Sequence, residues 1–245
     1  MTTDREKREP SAYPQAGVAS TCRSYGEYMD MFALNEEDLR GGAVLDVAGG
    51  ASEFTARLRE KGIEAVAADP FYAGATEAVI AAAAEEIRVS SLKIQALRDV
   101  YDWSYYGSPT RHRSIRESSW ARFADDFRRE DAGGRYVAAK LPELPFEDGR
   151  FRTVLCSHFL FLYADSFGYD FHREAVEELL RVAEDGGEVR IYPLVTLKWE
   201  LSPFVRDIME SVKGIAEAEL IDGKLPFTPV ASPVLRLRKH QKNQV

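Results

Sequence analysis

Residues 42–72, GAVLDVAGGASEFTARLREKGIEAVAADPFY, constrain this chain more than any other stretch. Ala43 to Val47 is a short aliphatic run interrupted only by Asp46, and it reads as a buried strand. Gly49 and Gly50 make a loop with no Cβ to hold a neighbour away. Ser52 is a suitable N-cap for the helix that follows, and Gly62 stands where a C-cap glycine belongs. A second strand, Ala65 to Ala68, ends in Asp69-Pro70. A strand, glycine turn, helix and strand in this order build one parallel crossover, with an acid at the end of each strand. Such a unit can hold a nucleoside at the carboxyl edge of the sheet, the second acid bonding the ribose hydroxyls.

The residues distinguish between two nucleoside ligands. A dinucleotide site places its pyrophosphate on a helix N-terminus behind G-x-G-x-x-G. Here that stretch is Ala48-Gly49-Gly50-Ala51-Ser52-Glu53, with one glycine at the required spacing and a carboxylate at the end. Glu53 and Asp46 repel a diphosphate and suit a cation. S-adenosylmethionine carries an ammonium and a sulfonium and no phosphate, so the charge pattern favours it.

Four stretches in the right order resemble the class I S-adenosylmethionine-dependent methyltransferases over residues 20–240. LDVAGGAS stands at that superfamily's glycine-rich first motif and AVAADP at its ribose-binding acid. LPELPFEDGRFRTVLCSHFLFLY resembles the run from the third strand through the fourth, and HREAVEELLRVAEDGGEVRIYPL the helix, glycine turn and fifth strand. The resemblance implies an α/β, Rossmann-like doubly wound, mostly parallel seven-stranded sheet. It implies S-adenosylmethionine as cosubstrate or sole substrate, held by Asp46, Ala48, Gly49, Gly50, Asp69, Pro70 and Ser157, with no metal. Two departures stand out: Ala48 and Ser52 replace customary glycines, and no acid follows the third strand near Lys140. Leu141 and the backbone are therefore expected to hold the adenine. The asparagine-proline-proline-aromatic motif of the DNA- and glutamine-methylating members is absent; SHFL takes its place.

Composition narrows the partners. With a net charge of −8, the chain is a poor match for nucleic acid or an anionic membrane, which require basic surfaces. Two cysteines without metal spacing suit a reducing compartment, and the polar start MTTDREKREP carries no signal peptide pattern. A cytoplasmic protein acting on a small molecule is expected, with its oligomeric state open. The basic RLRKHQK near the end reads as a solvated terminus.

Along the chain, residues 1–19 read as disordered or loosely attached. Residues 20–40 read as a helical cap with Tyr25, Tyr28 and Phe32 on one face. That face either packs on the sheet or closes over the ligand with a tyrosine against the sulfonium. More than one crossover helix separates Asp69 from the third strand near Tyr136, giving a helical insertion over 73–133. Its helices are placed at Ala73 to Ile87, Leu92 to Val100 and Ile115 to Arg129. Trp103, Tyr105, Tyr106 and Trp120 either pack these helices or wall a substrate pocket. Thr153 to Cys156 is the fourth strand, with Ser157 and His158 at its carboxyl end and Tyr163 in the loop after it. His158 is either a base for the acceptor or structural; His172 reads as a surface or capping residue. Gly186-Gly187 closes the next helix, Val189 to Pro193 is the fifth strand, Pro203 to Ile215 a helix, and the last strands pair partly antiparallel.

Three functions remain open at this level. Methyl transfer to a small acceptor, in secondary metabolism, would use His158 or Tyr163 as base. The chain also resembles methyltransferase-like cyclases of natural-product pathways. These turn S-adenosylmethionine into azetidine-2-carboxylate or 1-aminocyclopropane-1-carboxylate and release methylthioadenosine; there a tyrosine such as Tyr28 would take the proton. The third is a non-catalytic ligand-binding protein.

Overall fold

The computed structural model describes residues 12–15 and 17–241. The expectation for residues 1–11 and 16 lies outside the described residues. From Tyr13 onward the described part of the N-terminal stretch is tied to the body: the Tyr13 amide donates to Leu197 O at 2.9 Å.

The expected single helix over 20–40 is two short ones, α1 (Tyr25–Met31) and α2 (Glu36–Leu39). Ser24 and Glu27 form a capping box at the start of α1. Ala33, in the left-handed region with φ of 51°, turns the chain between the two. Strand β1 (Val44–Val47), helix α3 (Phe54–Glu60) and strand β2 (Ala65–Ala68) realise the expected crossover, and Gly62 leaves α3 with φ of 77°. Ser52 is not the N-cap of α3; Glu53 holds that position without a side-chain bond, because Ser52 Oγ accepts the Arg23 amide instead.

The insertion is simpler than its sequence suggests. The first two expected helices are one continuous α4 (Thr76–Ala96), since Val89, Ser90 and Ser91 between them are tolerated in a helix interior. After it, α5 (Pro109–Phe127) starts on Ser108, whose side chain accepts the Arg111 amide, with proline in the first turn. Then follow β3 (Tyr136–Val137), β4 (Phe151–Ser157), α6 (Tyr169–Val182), β5 (Ala183–Tyr192), α7 (Val205–Ser211), β6 (Ala216–Ile221) and β7 (Val234–Lys239). Gly186-Gly187 does not end α6. It lies in a bulge of β5, where the register against β4 jumps from Phe151↔Ala183 to Thr153↔Glu188. The basic RLRK is likewise no solvated end: it lies in β7, with Leu235 and Leu237 buried and Arg236 paired to Glu219.

Among the described residues seven strands form one sheet in the order β3-β2-β1-β4-β5-β7-β6, parallel except for β7 against both neighbours. The expected fold class is therefore observed. Side chains alternate across the sheet. Leu45 and Val47 join the core beneath α6, packed by Ala175, Val176 and Leu179, whereas Val44 joins the core under α1 and α3. By the same alternation Asp46 points toward α1.

Candidate functional site

Two cavities open at the carboxyl ends of the central strands. The larger, about 570 Å³, is an edge cavity floored by Val47 and Ala48. Asp69, Pro70 and Phe71 stand on one side and Leu141 and Pro142 on the other, while Ser157 and His158 close the far end. A strap of residues 18–21 covers it.

Asp69 is held by two backbone donors, the Gly50 amide at 3.0 Å and the Phe71 amide at 2.9 Å. Burial raises its carboxyl above the ordinary range in spite of both. The glycine pair does not make room for a ligand. A Cβ on Gly49 would lie 2.7 Å from Asp46 Oδ2, and one on Gly50 would lie 2.5 Å from Thr21 O. The turn is bare because it wraps a buried carboxylate on one side and receives the strap on the other. Strap and insertion also occupy the amides at the start of α3: Ala51 N donates to Thr21 O, and Glu53 N to Arg23 O and Ser119 Oγ. An anion has no free amide at Ala51 or Glu53.

Asp46 is buried with 1% exposure and is not part of the cavity wall. The Tyr28 hydroxyl lies 3.1 and 3.0 Å from its two oxygens. Burial pushes the Asp46 carboxyl well up; the Tyr28 hydrogen bond opposes that and the nearby Asp69 adds to it. Of the two alternatives for the tyrosines of α1, packing is the one observed. Tyr28 stacks on Phe54 at 4.2 Å, and Tyr25 stacks on the same ring at 5.7 Å with its hydroxyl 3.3 Å from Glu36. The aromatic face of α1 packs on α3, because Phe54 offers it an apolar partner. Of the sequence-expected ligand residues, the structure brings Ala48, Asp69, Pro70, Leu141 and Ser157 onto the wall, together with His158. Asp46, Gly49 and Gly50 stand behind it, and Tyr25 and Tyr28 stand away from it.

The second cavity, about 140 Å³, lies on the other side of the strap and shares Ala19, Ser20, Thr21 and His158 with the first. It is aromatic: Tyr101 stacks on Phe227 at 4.5 Å, Phe227 stacks on His112 at 5.1 Å, and Trp199 meets Tyr101 edge-on. Tyr163 also lines it, and its hydroxyl accepts the Ala19 amide at 2.9 Å, pinning the strap. The insertion's expected pocket aromatics are not on this wall. Trp120 donates to Ile80 O within the helices, Trp103 to Arg98 O, and Tyr105 and Tyr106 bond Asp30 and Glu27 of α1.

Behind the aromatic wall lies a charged cluster. Glu27 is buried and bonded by Arg116, by Tyr106 and, at 3.3 Å, by Arg23. Burial alone would raise its carboxyl; the two arginines overcome that and hold it low. His112 Nε2 is 3.1 Å from Arg116, and burial together with the two arginines pushes its pKa down to about 2. The same causes lower His158 well below the usual histidine range. His158 Nδ1 pairs with Ser157 Oγ at 3.0 Å. His172, expected at the surface, is fully buried, its ring nitrogens facing Gly168 O and Leu160 O at 2.9 Å each.

Four non-glycine residues among those described have positive φ: Ala33, Ala48, His158 and Trp199. Three of the four line a cavity. Left-handed backbone costs an ordinary residue about 1–2 kcal/mol, and such strain persists where surrounding structure enforces it.

Arg23, His112, Arg116 and Trp199 were not singled out in the sequence. For His112 and Arg116 a signal existed: with Ser119 and Phe123 they repeat at spacings of four, three and four, and all four are buried on one face of α5. For Trp199, isolated in an irregular segment, the sequence offered none.

The strand order and the antiparallel last strand define the class I methyltransferase type of α/β fold. The chain belongs to the same family as the uncharacterized protein MJ0045 of Methanocaldococcus jannaschii, to which it is 31% identical over 196 residues, 80% of this chain and 86% of that one. No family model matches. Among solved structures, a SAM-dependent methyltransferase from Aquifex aeolicus is similar over 87% of this chain and 92% of its own, at 14% identity and a TM-score of 0.43. One from Methanosarcina mazei is similar over 83% and 94%, at 13% identity and a TM-score of 0.45.

Proposed function

We propose that this protein is an S-adenosylmethionine-dependent methyltransferase acting on a small acceptor. The observation that carries the proposal is the pair of cavities meeting at one strap and one histidine. A cofactor and an acceptor seated side by side need that arrangement, whereas a protein that cyclises its cofactor alone has no use for the second chamber.

The edge cavity suits this cofactor. Its volume lies within the roughly 300–1,000 Å³ of small-ligand sites. Asp69 would take the ribose hydroxyls, and Phe71, Leu141 and Pro142 would enclose the adenine. Ser20 and Thr21 of the strap would flank the polar arm. The amides where a pyrophosphate would rest are already bonded to the strap and to Ser119. When bound, S-adenosylmethionine supplies a methyl group activated by its sulfonium.

The chain's own residues then position the acceptor. The aromatic cavity excludes water and aligns it. His158, uncharged and on both walls, orients the acceptor's hydroxyl by a hydrogen bond, and Ser157 fixes its ring. Tyr163 holds the strap between the two sites.

Incubation with S-adenosylmethionine, with and without a panel of small phenolic acceptors, tests this by mass spectrometry. S-adenosylhomocysteine formed only with an acceptor is the expected result. Methylthioadenosine and a cyclic amino acid from the cofactor alone would establish cyclisation instead. Failure to bind the cofactor would leave a ligand-binding protein of another kind.

A further inference from the structure

The walls of the aromatic cavity specify more than "small acceptor". Its volume of about 140 Å³ matches the roughly 150 Å³ of an apolar cavity that takes up one benzene molecule. The rings of Tyr101, Phe227 and Trp199 offer stacked and edge-on surfaces to a planar guest. A fused or two-ring compound is too large for it.

The polar part of the wall is cationic. Arg23 and Arg116 both line the cavity, and between them stands one carboxylate, Glu27. The two imidazoles on this wall, His112 and His158, are kept neutral by burial and by the arginines. The cluster of Arg23, Glu27 and Arg116 therefore carries one positive charge in excess, out of water. Glu86, the carboxylate that lines the cavity itself, is half-buried on α4, where Lys93 opposes its charge.

Arg116 is well supplied with partners, reaching Glu27, Tyr106, His112 and Cys22 O. Arg23 is not. The residue is only 9% exposed, and its Nε is buried with no acceptor. A buried donor without a partner costs about 1–3 kcal/mol, and an uncompensated buried charge costs more. A guest's carboxylate set against the Arg23 guanidinium would balance the cluster's excess charge through a charge-assisted bond.

We propose that the aromatic cavity binds a monocyclic aromatic carboxylate, with the Arg23 guanidinium donating to the carboxylate and the ring lying among Tyr101, Phe227 and Trp199. Its role as methyl acceptor rests on the methyltransferase reading above; its binding does not.

Calorimetry with 4-hydroxybenzoate and 4-hydroxybenzamide tests this, because the two differ in charge and little in shape. The acid is expected to bind at least tenfold more tightly than the amide. Arg23→Gln is expected to abolish that preference, and Arg23→Lys to restore part of it. Equal binding of acid and amide by the unmodified protein overturns the proposal, as does an unchanged preference in Arg23→Gln or binding of neither compound. Should Arg23→Gln fail to fold, the acid–amide comparison on the unmodified protein still decides. S-adenosylmethionine titrated separately keeps the two readings apart: acid binding without cofactor binding sinks methyl transfer only, and the reverse sinks this proposal only.

Discussion

The edge cavity and the aromatic cavity share a strap and a histidine, yet they are built by opposite means. The edge cavity is assembled from the ends of β1, β2 and β4 and the loops beside them, so the sheet places its walls. The aromatic cavity draws on residues from Tyr13 to Thr228, and side-chain packing between the N-terminal segment, the insertion and the loops after β5 and β6 makes it. One is set by backbone, the other by side chains. Their buried charges also differ: carboxylic acids stand at the first, arginines and neutral histidines at the second.

Substitutions in the two regions should therefore fail differently, and the largest effect belongs to the glycine turn. Gly50→Ala puts a Cβ 2.5 Å from Thr21 O in a residue with φ of 54°. We expect a loss of more than about 3 kcal/mol in urea unfolding, with cofactor binding abolished. On the other side Phe227→Ala removes a ring stacked on Tyr101 and His112, at a cost of about 3–5 kcal/mol. If the folded variant still binds S-adenosylmethionine within about twofold, the chambers are separable. A parallel loss would show that they are one site.

A smaller effect separates the two acids. Asp69→Asn should weaken cofactor binding about tenfold, or about 1.4 kcal/mol, since this carboxylate is on the wall. Asp46→Asn should matter less, because Asp46 is off the wall, with its oxygens turned to Tyr28 and the glycine turn. Calorimetry giving the reverse order would restore Asp46 as the principal contact.

The pH dependence of stability should carry opposite signs. Unfolded, His112 and His158 bind protons near pH 6.5, while the folded state keeps both neutral. The unfolded chain then holds more protons, so stability is lost as pH falls below about 6.5, by up to about 1.4 kcal/mol per pH unit for each histidine. His112→Gln should flatten that slope by about half. Asp46 and Asp69 are raised by burial, so the folded state keeps their protons to a higher pH than the unfolded one. Their contribution is lost as pH rises above about 4 through the folded-state titration, and Asp46→Asn should relieve its share. Unfolding midpoints across pH 4–8 for the parent and both variants measure the two slopes.

The smallest effect lies at Ala48, whose φ of 56° suits glycine better. Ala48→Gly should change stability by no more than about 1 kcal/mol, the relieved strain being offset by a more flexible unfolded chain. Cofactor affinity should be unchanged.

The crossover of residues 42–72 was legible because strand, turn and helix signals are local, and β2 falls on Ala65–Ala68 as expected. Asp69, Leu141 and Ser157 could be placed because a parallel sheet brings strand ends to one edge. Asp46 was misplaced, since its acid in a strand signals a charge and not which face receives it. The glycine pair was read for the right property and the wrong neighbour.

The sequence by itself determined the crossover of residues 42–72 and the helical insertion, and its resemblance to a known family implied the doubly wound sheet. The first two follow from hydrophobic period and turn chemistry, each encoded over a few neighbouring residues. Only the tertiary structure decided that the tyrosines of α1 pack on Phe54, that the strap divides two chambers, and that Arg23 and Arg116 share one carboxylate. Such contacts join positions as much as 144 residues apart through burial and charge, and no local pattern records which distant partner a buried side chain will meet.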